Sequence, residues 1–194
     1  LNEHIVTAKL ICKKIEEVHP DIVVLGGDVF HTQGTLDVWV VDAAYTILSM
    51  IRDACNEVGA GFHVLVGNHD LLADNNSVTH SLKAAKFYKD LVLHEKLEEF
   101  SSLVFLPYVQ EAWKINQFLE TIENKEEKVA FAHLDFFGAK FHDSLFDNSG
   151  IKPELFKDFK KVIGFHYHLP QSLGNNIVFP GSPQRWSFRE PKNN

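Results

Sequence analysis

The chain has 194 residues, 45% of them hydrophobic, with 26 acidic against 19 basic side chains and a formal net charge of −7. That is ample apolar material for one core, and one domain is the default at this length. The acidic balance argues against broad electrostatic wrapping of a nucleic acid, since non-specific affinity comes mainly from Lys and Arg neutralising phosphates. No apolar run is long enough to span a bilayer, and no signal peptide is visible.

In chain order, residues 3 to 18 read as an amphipathic helix with Ile5, Ala8, Leu10, Ile11, Ile15 and Val18 on or near one face. The strand-like run Asp21 to Gly27 then ends in Asp28 and His31. A helix over 37 to 57 is apolar around more than half its circumference through Trp39, Val40, Ala43, Ala44, Ile47, Leu48 and Ile51. The run Gly61 to Val66 leads into Gly67, Asn68, His69 and Asp70, and a helix is expected near 78 to 88. A strand from Leu103 precedes a helix near 111 to 123. Finally, Lys128 to Ala132 delivers His133, and Lys160 to Gly164 delivers His166 and His168. Cys12 and Cys55 lie in helix-like stretches and read as apolar fillers rather than a disulfide, which favours a reducing, intracellular compartment.

Four polar clusters thus follow four strand-like runs, and in open α/β sheets ligands collect outside the carboxyl ends of strands. A phosphodiester anion attacked by water calls for two cations about 4 Å apart, one activating the nucleophile and both neutralising developing charge. Asp28 has two oxygens with which to bridge such a pair, flanked by Gly26 and Gly27, which permit close backbone approach. Asn68 offers a neutral oxygen, and His133, His166 and His168 offer imidazoles, a mixture suited to manganese or a similar ion rather than a closed thiolate zinc site. His166 and His168 alternate by two along an extended segment and so share a face.

On these clusters the chain resembles the calcineurin-like metallophosphoesterase superfamily, and within it the SbcD-like nucleases that process DNA double-strand breaks, including their T-even phage counterparts. His31 three after Asp28, the strand Leu103 to Tyr108 before a helix, and Gly181-Ser182-Pro183 with its continuation to Phe188 carry the nuclease likeness. The resemblance implies an α/β sandwich of two sheets flanked by helices, with the whole of residues 1–194 forming one nuclease domain. It implies that Asp28 bridges two manganese ions (magnesium or another divalent ion being the alternative), with Asn68, His133 and His166 completing one and His168 serving the other. His69 would contact the scissile phosphate or protonate the leaving oxygen, and His31 would help position substrate. Attack by water activated on the cations leaves no covalent enzyme intermediate. Arg185, with Arg189 and Lys192, is the candidate DNA contact.

Two departures stand out. The family supplies an Asp-x-His at the end of its first strand, and nothing before Asp28 fits. It also continues past the Gly-Ser-Pro segment into a DNA-capping domain, so the chain is expected to be truncated at both ends. A homodimer working with an SbcC-type ATPase on DNA is implied, one side of the 37 to 57 helix meeting the second subunit together with Leu82, Ala85 and Phe87. The alternatives are a phosphatase or cyclic-nucleotide phosphodiesterase on the same fold, or a catalytically incomplete scaffold protein, because a shared fold does not fix substrate. The pair Phe136-Phe137 and Phe141 read as core or site wall rather than base-stacking platforms, and His142 with Asp143 as a loop that could approach substrate.

Overall fold

A computed structural model describes residues 2–31, 33–72, 79–142 and 145–184. The chain folds into two compact units, Leu1–Leu93 and His94–Asn194.

In the first unit, α1 (Asn2–Val18) buries Ala8 and Ile15, seven residues apart, with Ile11 and Cys12 half-buried between them. Leu10 lies off that i, i+3, i+4, i+7 stripe and Val18 continues it at the last residue of the helix; both are exposed, contrary to the expected face. The parallel strands β1 (Ile22–Leu25) and β2 (Gly61–Leu65) pair from Ile22 with Gly61 to Leu25 with Val64, so their carboxyl ends leave the sheet together. Between them runs α2 (Val38–Val58), closed by Gly59 in the left-handed conformation with its N–H on the last carbonyls. Leu48, Ile51, Ala54 and Cys55 of α2 are buried, and full burial of one such aliphatic side chain contributes roughly 1.5–3 kcal/mol. At its start Val38, Trp39 and Val40 are exposed.

Residues Ser81–Phe87 form a 3₁₀ helix rather than the expected α-helix. Spacing by three serves either geometry, and here Leu82 and Ala85 are fully buried among the side chains of α2 and β2. Both are therefore core residues and not part of an exposed subunit interface; Phe87 alone of the three is exposed. β3 (Val92–His94) completes a three-stranded sheet in the order β1-β2-β3.

The second unit is built on a six-stranded sheet. Its strands are β4 (Glu98–Phe100), β5 (Leu103–Leu106), β6 (Val129–Ala132), β9 (Lys161–Gly164), β10 (Gln171–Leu173) and β11 (Ile177–Phe179), in the order β10-β11-β9-β6-β5-β4. A separate hairpin pairs β7 (Lys140–His142) with β8 (Leu145–Phe146). The central strands β5, β6 and β9 are parallel, and Leu106, Ala132 and Gly164 sit side by side at their ends. Helix α3 (Ala112–Thr121) buries Ile115 and Leu119 in the same core as Val104, Ala130, Phe156 and Phe179. No helix among the described residues is long and apolar enough to cross a membrane, and Cys12 and Cys55 are free thiols.

Candidate metal centre

In the first unit, Asp28 and Asn68 each lie three residues beyond a strand, on loops that would be floppy without bracing. Asp70 supplies the bracing. Its side chain is buried, and it accepts from the backbone N–H groups of Asp28 (2.9 Å), Gly67 (2.9 Å) and Phe30 (3.1 Å). Asp28 Oδ1 accepts from the His69 N–H at 2.8 Å, so each loop holds the other. Gln33 adds a third tie, its Nε2 donating to the Asn68 carbonyl at 2.8 Å.

This closeness has a conformational signature. Gly27 and Asp28 both have positive φ, 101° and 53°, a region that glycine enters freely and aspartate more readily than most other residues. Gly67 packs so tightly on Asp28 that a Cβ there would overlap the Asp28 amide and carboxylate. Sequence reasoning assigned close approach to Gly26 and Gly27; the structure adds Gly67 as the position where a side chain is sterically forbidden.

The His31 and His69 rings stack with centroids 5.1 Å apart, and His69 Nδ1 lies 2.9 Å from the His31 carbonyl oxygen. A carbonyl only accepts, so Nδ1 carries the hydrogen and Nε2 is the nitrogen through which His69 can exchange a second proton.

In the second unit the donors come directly off the parallel strands. His133 follows β6, its N–H donating to the Leu106 carbonyl, and His166 comes two residues after β9. His133 is buried, with the Tyr108 ring edge-on to it at 6.5 Å between centroids. His133 Nε2 and His166 Nδ1 lie 3.4 Å apart. Two imidazole nitrogens bound to one ion at about 2.1 Å and a near-tetrahedral angle would be separated by about 3.4 Å, so this pair fits a shared cation. Burial alternates along His166-Tyr167-His168, the tyrosine fully buried and both histidines half-buried, as expected if the two imidazoles share a side.

Tyr167 anchors that segment. Its hydroxyl donates to Asp147 Oδ2 at 2.8 Å and accepts from the Phe136 N–H at 2.7 Å. Burial alone would raise the Asp147 carboxyl, but the amides of Ser149 and Gly150, the Ser149 hydroxyl and the Tyr167 hydroxyl outweigh it, and the group lies below the ordinary carboxylate range. Burial and the facing Asp147 push the Tyr167 phenol well above its usual value, so it stays a neutral donor. The Gly-Ser-Pro segment braces the other side, with the Ser182 N–H donating to the His168 carbonyl at 3.0 Å.

Of the remaining expectations, Phe136 is core, whereas Phe137 and Phe141 are exposed, with the Phe141 ring 6.1 Å from that of His166 as a wall beside it. His142 lies on β7; Asp143, Arg185, Arg189 and Lys192 fall outside the described residues. Asp70, Gln33, Asp135, Asp147 and the anchoring role of Tyr167 were not found from sequence. For Tyr167 the alternation with two histidines was an available signal.

Comparison with known proteins agrees with this donor chemistry. The chain is 29% identical over 183 residues to "Putative phosphoesterase 078R" of Invertebrate iridescent virus 3, covering 90% of this chain and 50% of that protein. It is 31% identical over 186 residues to "Putative phosphoesterase 244L" of Invertebrate iridescent virus 6, covering 90% of this chain and 62% of the relative. To "Exonuclease subunit 1" of Enterobacteria phage T4 it is 24% identical over 164 residues, 81% of this chain and 46% of that one. The chain therefore spans about half to three-fifths of the length of these curated relatives. Residues 4–192 match the calcineurin-like phosphoesterase family, whose members hydrolyse phosphoesters with divalent metals, and the chain belongs to that family.

Proposed function

We propose that this chain is the catalytic part of a manganese-dependent DNA nuclease that hydrolyses phosphodiester bonds during DNA-end processing, recombination and repair. The observation that carries the reading is the pair of nitrogens on His133 and His166, set 3.4 Å apart at the ends of adjacent parallel strands. The likeness to a phage exonuclease subunit supports a nucleic acid among phosphoester substrates.

On this reading both units make one nuclease module. Asp28 and Asn68 of the first unit and His133, His166 and His168 of the second are the residues that would hold divalent ions. Ions bound there would neutralise charge developing on the phosphate and make a water acidic enough to attack. The chain's own residues do the rest. Asp70 and Gln33 keep Asp28 and Asn68 in place, which preserves the alignment on which an in-line displacement depends. His69, oriented by the His31 carbonyl, gives a proton from Nε2 to the leaving oxygen. Arg185 contacts the DNA backbone. The exposed Val38, Trp39 and Val40 together with Phe87 suit a homodimer surface, and the phage relative's description as a subunit supports a partner, here an SbcC-type ATPase. Two free thiols fit an intracellular workplace.

The test is hydrolysis of linear duplex DNA and of a small aryl phosphodiester, with manganese, magnesium or chelator. Manganese-dependent loss of DNA from ends, abolished in His166→Ala and reduced by about 10²-fold or more in His69→Ala, is expected. Turnover of the small ester with DNA left intact would instead assign a phosphatase or small-molecule phosphodiesterase. Neither activity in a metal-loaded protein would assign a scaffold.

A further inference from the structure

We infer that Asp135 is a positioning residue for His166, fixing through the ring's Nε2–H the tautomer and orientation in which Nδ1 meets a metal ion. This rests on the assignment of His166 as a ligand. His166 Nε2 lies 2.8 Å from Asp135 Oδ1, while Nδ1 on the opposite side of the ring faces His133 Nε2 at 3.4 Å. A carboxylate oxygen accepts, so Nε2 carries the hydrogen, and the neutral ring then has its lone pair on Nδ1. That is the nitrogen paired with His133. A carboxylate on the far nitrogen of a ligating imidazole also raises the basicity of the ligand.

The backbone of Asp135 is fixed independently of His166. Its carbonyl accepts from the Ile151 N–H at 2.7 Å, and the Phe137 N–H donates back to the Ile151 carbonyl at 2.9 Å. Gly150 lies so close that a Cβ there would stand 2.6 Å from the Asp135 and Phe136 backbone. The next amide, that of Phe136, donates to the Tyr167 hydroxyl, so residues 135–136 and 166–167 are joined by two neighbouring ties. The Asp135 side chain is thus aimed from a rigid base. A surface ion pair assembled from two mobile side chains would lack that base and would contribute little. With 39% of its side chain exposed, Asp135 can be truncated without opening the core.

The experiment titrates Mn²⁺ into the full chain by calorimetry for wild type, Asp135→Ala, Asp135→Asn and His166→Ala. It is paired with long-range imidazole ¹H–¹⁵N spectra of the metal-free proteins. Asp135→Ala is expected to weaken Mn²⁺ binding about 10–100-fold, with Asp135→Asn, which keeps an oxygen acceptor, falling between it and wild type. In the metal-free spectra His166 should be the Nε2–H tautomer in wild type and a mixture in Asp135→Ala, while the melting temperatures stay together. Wild-type affinity in both Asp135 variants, alongside weakened binding in His166→Ala, would overturn this inference alone. A wild-type protein that takes up no Mn²⁺ would overturn it together with the proposed metal site.

Discussion

Asp28 and Asn68 of the first unit stand three residues beyond their strands, whereas His133 of the second comes immediately after β6 and His166 two residues after β9. The histidines inherit their placement from strand register, with Leu106, Ala132 and Gly164 aligned across three parallel strands. The loops of the first unit have no ladder to hold them, and a single buried carboxylate takes that place by gathering the amides of Gly67, Asp28 and Phe30. A side chain thus does for a loop what hydrogen-bonded neighbours do for a strand. The loop arrangement permits the positive φ of Asp28, and it concentrates the dependence of the loops on Asp70.

That contrast can be broken most severely at Asp70. Asp70→Ala would leave three inward-facing amides without this acceptor, a loss of about 3–5 kcal/mol by denaturant titration. Hydrogen exchange should speed up first at Gly67, Asp28 and Phe30. Stability within about 1 kcal/mol of wild type would show that the loops hold themselves.

In the second unit the corresponding carboxylate is Asp147, which braces Tyr167 and the turn at Ser149 and Gly150; Asp147→Asn keeps an oxygen acceptor and is expected to cost less, about 2–3 kcal/mol at neutral pH. Its sign with pH follows from a folded-state pKa below the ordinary carboxylate value. The stabilisation is present above the unfolded-state pKa and is lost as pH falls through the folded one. Wild type and Asp147→Asn should therefore converge in urea midpoint as pH falls below the ordinary carboxylate range, and a gap unchanged with pH would contradict the charge-based bracing. Smaller again is Tyr167→Phe, which removes a donor to Asp147 and an acceptor for Phe136, at about 1–2 kcal/mol by thermal melting. Leu10→Gln on the exposed side of α1 lies outside both bracing systems and should stay within about 0.5 kcal/mol.

The strands and the residues following them were legible because apolar runs ending in Gly, Asn, Asp and His are local signals. Asp28, Asn68, His133 and His166 all stand where those runs end. What escaped is non-local or depends on direction. Asp70 stood in a polar cluster without a role of its own, because its acceptor role requires Asp28 and Phe30, some forty residues upstream. Asp135 and Asp147 acquire meaning only beside His166 and Tyr167, which the fold brings to them. Leu82 and Ala85 were placed on an interface because periodicity shows that residues share a face without showing what that face meets.

The central claim of the proposed function is that His133 and His166, whose nitrogens stand 3.4 Å apart at the ends of adjacent parallel strands, serve one ion. The most direct measurement is the Mn²⁺ stoichiometry and affinity of wild type, His133→Ala and His166→Ala, read by electron paramagnetic resonance of the free ion. At least one ion per chain in wild type, with the same tight site lost in each variant and the fold intact by circular dichroism, is the predicted result. Retention of that site in either variant would contradict the claim.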